Sequence, residues 1–127
     1  MSYLQRIDYR PNPANLSEAE EKHLAKVLDV YGAEIVVYGE PVRWEHIEEV
    51  EVVPAPHMAG PAGWIVGKLL MGGRQFYHLG IYFGSREAIL PNITLNTARH
   101  VLELIAFYAP NPVAYQGPED LVLLSEI

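Results

Sequence analysis

Apolar residues along this chain change their rhythm several times, and each change marks a predicted element. Between Ser17 and Gly32 ("SEAEEKHLAKVLDVYG"), Leu24, Val27, Leu28 and Tyr31 recur three and four positions apart. That spacing lines one side of an α-helix. Ser17 and Glu20 have the separation of a capping box, in which each side chain satisfies a free backbone N–H of the first turn. Glu18, Glu20 and Glu21 fall where the helix dipole favours negative charge, and Gly32 is the expected stop. The rhythm then shortens to two. "AEIVVY" (33–38), "VRW" (42–44) and "IEEVEVV" (47–53) read as strands, with Gly39-Glu40-Pro41 turning the chain. In the last of them Val50 and Val52 face one way, Glu49 and Glu51 the other. "PAPHMAGPAG" (54–63) reads as a loop, "WIVGKLLM" (64–71) as a strand and Gly72-Gly73 as a turn.

The stretch "GIYFGSREAILPN" (80–92) is read as a hairpin. With Gly84-Ser85 as a two-residue turn, glycine in its first position suits the type II′ geometry. Counting back from the turn, Phe83 faces Arg86, Ile81 faces Ala88 and Leu79 faces Leu90, on a side that should meet the core. Tyr82 faces Glu87 and Gly80 faces Ile89 on the other side, with His78 and Phe76 further along. The chain then enters a helix over residues 95–109 with Thr94 as N-cap. Leu95, Ala98, Val101, Leu102, Ile105 and Ala109 make its core stripe, and Pro110 and Pro112 end it. Leu104, Phe107 and Tyr108 fall outside that stripe and need a cover, either the C-terminal tail or a second subunit. "DLVLL" (120–124) reads as a last short strand. Residues 1–16 read as an extended arm, because Pro11 and Pro13 disfavour a helix and Asn12 and Asn15 favour turns. Residues 17–127 then form a single domain.

Composition narrows the function more than it reveals it. The chain has 127 residues, which suits one core, and no cysteine, which removes thiol nucleophiles, disulfides and zinc–cysteine sites. Its formal net charge is −7, and its nine Lys and Arg are scattered. Such a balance disfavours nucleic acid and anionic lipid as partners. "MSYLQRIDYR" lacks the apolar core of a signal peptide, and "VVPAPHMAGPAGWIVG" is too interrupted to span a bilayer. The expectation is a soluble, cytoplasmic protein without a cofactor.

Chemical motifs are weak. "AGWIVGKL" (62–69) has Ala62 and Leu69 where a phosphate-binding loop needs glycine and a hydroxyl residue. "GSRE" (84–87) lacks the second glycine of a nucleophile elbow, so Ser85 is read as a turn residue. His23, His46, His57, His78 and His100 form no pair at metal-ligand spacing. Only the fold can bring His57 to His46, which stands beside Glu45, Glu48 and Glu49, and no metal is expected. His23 and His100 are assigned to helix surfaces. The candidate ligand or interface surface is the second face of the sheet, with Arg74, Phe76, His78, Tyr82 and Glu87, together with Phe107 and Tyr108 on the closing helix.

"EIVVYGEPVRWEHIEEVEVV", followed by further strands and a closing helix, resembles the bacterial pleckstrin-homology-like (PH-like) arrangement over residues 33–109, with Trp44 and Ile47 in the places of its marker residues. The resemblance implies a curved antiparallel sheet or half-barrel capped by the helix of residues 95–109, here with an extra N-terminal arm and helix. The basic lipid-binding loop of the eukaryotic family is not evident. The expected fold class is therefore α+β. The expected function is a non-enzymatic binding or assembly module that self-associates as a dimer. The alternative is a small enzyme or ligand-binding protein working on the Arg74, His78, Tyr82 and Glu87 face.

Overall fold

The computed structural model describes residues 2–55 and 75–126. The loop and strand expected over 54–71, the Gly72-Gly73 turn, the 62–69 motif, His57 and Arg74 lie, in whole or in the greater part, outside the described residues. The rest is an α+β protein. It contains strands β1 (Ser2–Leu4), β2 (Leu28–Val30), β3 (Glu34–Val37), β4 (Glu40–Arg43), β5 (Glu49–Pro54), β6 (Tyr77–Phe83), β7 (Arg86–Ile93), β8 (Ala114–Gln116) and β9 (Leu124–Glu126), and helices α1 (Glu18–Val27) and α2 (Leu95–Tyr108). Six strands form one sheet in the order β7-β6-β5-β8-β1-β9, and β2-β3-β4 form a second.

The hairpin at 77–93 follows the expected register pair for pair: Leu79↔Leu90, Gly80↔Ile89, Ile81↔Ala88, Tyr82↔Glu87 and Phe83↔Arg86. Gly84 has φ +62 while Ser85 is not at positive φ, the pattern of a type II′ turn. The Glu48 carboxylate accepts from the Gly84 N–H at 2.8 Å and fixes that corner to β5. Burial follows the alternation. Val50, Val52, Leu79, Ile81 and Leu90 on the inner face are essentially inaccessible, and α2 lays Ala98, Val101, Leu102 and Ile105 against them. Thr94 caps α2 by accepting from the Thr97 N–H at 3.1 Å.

The large sheet is mixed rather than antiparallel throughout, because β8 runs parallel to β5. The reason is the crossover. α2 carries the chain from β7 back across the inner face, so β8 enters beside β5 in the same direction, as only a long connection allows. The N-terminal segment is also more than an arm. Ser2–Leu4 is hydrogen-bonded between β8 and β9, and Leu4 is buried. Pro13–Asn15 makes one 3-10 turn, with Pro13 in the first turn where its missing N–H costs nothing.

Three local expectations are corrected. α1 ends at Val27, and Leu28–Val30 leaves the helix to pair with Ile35–Val37. Leu28 and Val30 alternate with Asp29 as well as they would continue a helix, and the β-branched partner strand decides between the two. Gly32 consequently sits in the β2–β3 loop. The next turn is Tyr38-Gly39 rather than Gly39-Glu40-Pro41, with both residues at positive φ and Val37 opposite Glu40, the arrangement of a type I′ hairpin. Pro41 lies in β4 at the edge of the small sheet, where its lack of an N–H is harmless. Towards the C-terminus, the expected strand at 120–124 is displaced to Leu124–Glu126.

Candidate functional site

The outer face of β5-β6-β7 brings together part of the surface chosen from sequence. His78 and Tyr82 lie on it, with Glu87 opposite Tyr82, Glu49 on its other flank and Val53 opposite His78. Phe76 precedes β6 and is half-buried; Arg74 is outside the described residues. The Tyr82 ring lies along the sheet over Gly80, where a Cβ would come within 3.2 Å of the Tyr82 hydroxyl. That hydroxyl donates to Glu51 at 3.3 Å. Desolvation, then the charge and hydrogen bond of Glu51, then Glu87 and Glu49, all raise the Tyr82 pKa, so it stays a protonated donor at neutral pH. The His78 ring accepts at Nδ1 from the Asn92 N–H at 3.1 Å. Asn92, at φ +53, lies in a β-bulge between Tyr77 and Leu79 of the β6–β7 ladder. His78 thus supports an irregular strand. The surface is rich in carboxylates, with Val53 and Ile89 exposed among them.

Phe107 and Tyr108 belong elsewhere. Tyr108 stacks on Trp44 with ring centroids 4.8 Å apart and planes 12° from parallel, and Phe107 meets Tyr108 edge-on at 4.9 Å. Trp44 is buried and donates through Nε1 to the Tyr31 carbonyl at 2.7 Å. The cover that the closing helix requires here comes from the turn after β4, within the same chain. Leu104, also expected to need a cover, is buried too.

Leu104 leads to the feature that sequence reading missed. Between the N-terminal segment, α1, β2 and α2 lies an open cleft of about 620 Å³. Its walls are mainly apolar. The segment before α1 supplies Pro11, Pro13 and Leu16, α1 supplies Leu24 and Ala25, β2 supplies Leu28 and Val30, and α2 supplies Leu104. Arg10 and Glu21 are its charged lining residues, and both are exposed. His100, on α2, also lines it. Rather than sitting on a helix surface, His100 is only 8% exposed, and among the described residues its ring makes no hydrogen bond. Desolvation by burial lowers its pKa, so the imidazole is neutral at pH 7 and offers one donor and one acceptor. A signal for it existed in the sequence. Thr97, His100 and Leu104 are three and four apart on α2, a second buried stripe beside the first.

The helices that wall the cleft are clasped at their N-terminal ends by Glu20. Its carboxylate accepts from the Ser17 N–H at 2.8 Å, completing the predicted capping box, and also from the Thr94 hydroxyl and from Asn96 Nδ2 at 3.1 Å. Asn96 Nδ2 reaches the Asn15 carbonyl as well, at 2.9 Å. Desolvation pushes the Glu20 carboxyl up, but the hydrogen bonds from Thr94, Ser17 and Asn96 together outweigh it and bring the pKa down to about 2. One side chain therefore joins the N-terminal ends of two helices that also wall the cleft.

His46 lies 3.9 Å from Glu45, and among the described residues no group of three His, Asp or Glu side chains gathers as a metal site would require. No helix among them is long and apolar enough to cross a membrane. Comparison with protein-family models, with curated proteins and with solved structures returns no match to this chain.

Proposed function

We propose that this chain is a non-enzymatic binding module that holds a small, largely apolar ligand in the cleft between its N-terminal segment, α1, β2 and α2. The observation that carries this reading is the cleft itself. Its volume falls in the range of small-molecule sites, its lining is mainly apolar, and the His100 imidazole in its wall makes no hydrogen bond among the described residues. The outer sheet face offers less support for an enzyme. Tyr82 is engaged by Glu51, and His78 by the backbone of the bulge.

The test uses the intact chain and the uncharged dye Nile red. Saturable blue-shifted fluorescence at about one dye per chain is expected, and Ala25→Trp should abolish it. Ala25 is an exposed lining residue, so the new ring fills the cleft without touching the core. Absence of saturable binding, or binding indifferent to that substitution, removes the proposal.

Self-association is the second reading. What favours it is the exposure of Val53 and Ile89, 38% and 41%, on the outer sheet face with Tyr82. For the fold we keep the PH-like kinship as a proposal. It is supported by antiparallel β3–β4 and β5–β6–β7 followed by a helix over the inner face, and it is weakened by the parallel β5–β8 pair.

A further inference from the structure

An imidazole in an apolar wall is costly to leave without a partner, because burial removes the water that would otherwise satisfy it. His100 makes no hydrogen bond among the described residues, yet none of their buried side-chain nitrogens or oxygens is left unsatisfied, so its ring depends on the little solvent contact it keeps as a lining residue of the open cleft. A ligand with only hydrocarbon to offer would complete the desolvation and leave both ring nitrogens orphaned. A ligand with a hydrogen-bonding group at that point would satisfy them. The charge of that group follows from its surroundings. Glu21 and Arg10 contribute opposite charges to the same cleft, so the site has no net charge of either sign. Apart from Asn12 and His100 the remaining lining is apolar, with Leu16, Leu24, Leu28 and Leu104 in it, and it opposes the entry of an ion.

Resting on the binding-module reading above, we infer that the cleft selects a neutral amphiphile, an apolar body carrying an uncharged hydroxyl group that pairs with the His100 imidazole. A hydroxyl both donates and accepts, and so does neutral imidazole, so the two are matched without any proton transfer. Burial favours the neutral form of the imidazole.

The experiment is a competition. Nile red bound to the intact chain at pH 7 is displaced by 1-hexanol, hexanoate or hexylamine, which share a chain length and differ in headgroup charge. Hexanol is expected to displace the dye at concentrations about tenfold lower than either ion, a difference of about 1.4 kcal/mol. His100→Phe should erase most of that preference, read as the ratio of the hexanol and ion concentrations that displace the dye. His100→Gln, which keeps an uncharged donor and acceptor, should retain part of it. Histidine ring ¹⁵N shifts of the unmodified protein give a reading that needs no variant, since hexanol should move the His100 signals while the ring stays neutral. Equal displacement by all three probes, preference for an ion, or unmoved His100 signals on hexanol binding overturns the inference while leaving the binding module standing. Failure of the dye to bind at all overturns both.

Discussion

At the scale of single residues, Glu20 has the widest reach. Its carboxyl is held at about 2, below its ordinary 4.5, so the unfolded chain binds the proton more readily than the folded one. The sign follows directly. The stabilisation is full above the unfolded value and is lost as pH falls from about 4.5 towards about 2. Glu20→Gln keeps one acceptor oxygen but removes the charge. It should cost about 1–2 kcal/mol at pH 7 once solvent screening is allowed for. Urea unfolding at pH 7, 4 and 2.5 checks this: the gap between variant and parent should narrow steadily with acid. A gap that is constant across that range would mean that the charge is not what holds the clasp. The capping box between Ser17 and Glu20 is legible in the sequence because it is local. The reach of Glu20 to Thr94 and Asn96 is not, because nothing in either segment says that the two helix N-termini meet. His100 is a similar case. Its periodicity is visible, but a polar residue beside a core stripe reads as surface until the opposing wall is known.

At the scale of elements, legibility follows length. The hairpin of β6 and β7 and the helix α2 hold enough residues for a period to show, and their register and core stripe agree with the pattern. β1, β8 and β9 have three residues each, too few for alternation to mean anything. α1 and β2 share a continuous apolar rhythm that helix and strand both explain, so the break at Val27 is decided by pairing with β3. The turn between β3 and β4 yields a prediction of its own. Tyr38 occupies the first position of a type I′ turn at φ +49, yet it is 55% exposed and gives up little packing if replaced. Asparagine tolerates that conformation far better. Tyr38→Asn should therefore raise stability by about 0.5–1 kcal/mol, read as a higher denaturation midpoint with an unchanged slope. A lower midpoint would show that the ring contributes more than its exposure implies.

At the scale of the whole molecule, the balance of charge and apolar surface sets how copies meet. The sequence points to two unpartnered patches, but the one on α2 is covered internally by Trp44 stacking on Tyr108. On the remaining patch, Glu49, Glu51 and Glu87 stand close to Tyr82, and a two-fold contact would bring both sets together. A dimer built on this face should consequently strengthen with salt, as screening weakens the repulsion. Light scattering coupled to size exclusion, at high micromolar concentration in low and high salt, reads this directly. A mass rising from the 14.3 kDa of one chain towards twice that value on adding salt, and reset by Tyr82→Glu, would support the second reading. A single-chain mass in both conditions removes it.

The position of β1 bears on how the chain is made. Tyr3 lies opposite Ala114 on one side and Ser125 on the other, so both neighbours of β1 come from residues 114–126. A ribosome delivers Ser2–Leu4 long before either neighbour exists. While β2 to β7 emerge and pair among themselves in order, the β1 segment must wait, its edge groups satisfied by water or guarded by a chaperone. The same delay applies to the cleft, since Arg10, Pro11 and Pro13 stand in its wall a short way along the chain from β1. A nascent chain stopped short of residue 114 carries both helices and the hairpins but lacks the partners that β1 needs. Completion of the sheet, and with it the final placing of that wall, must wait for the synthesis of residues 114–126.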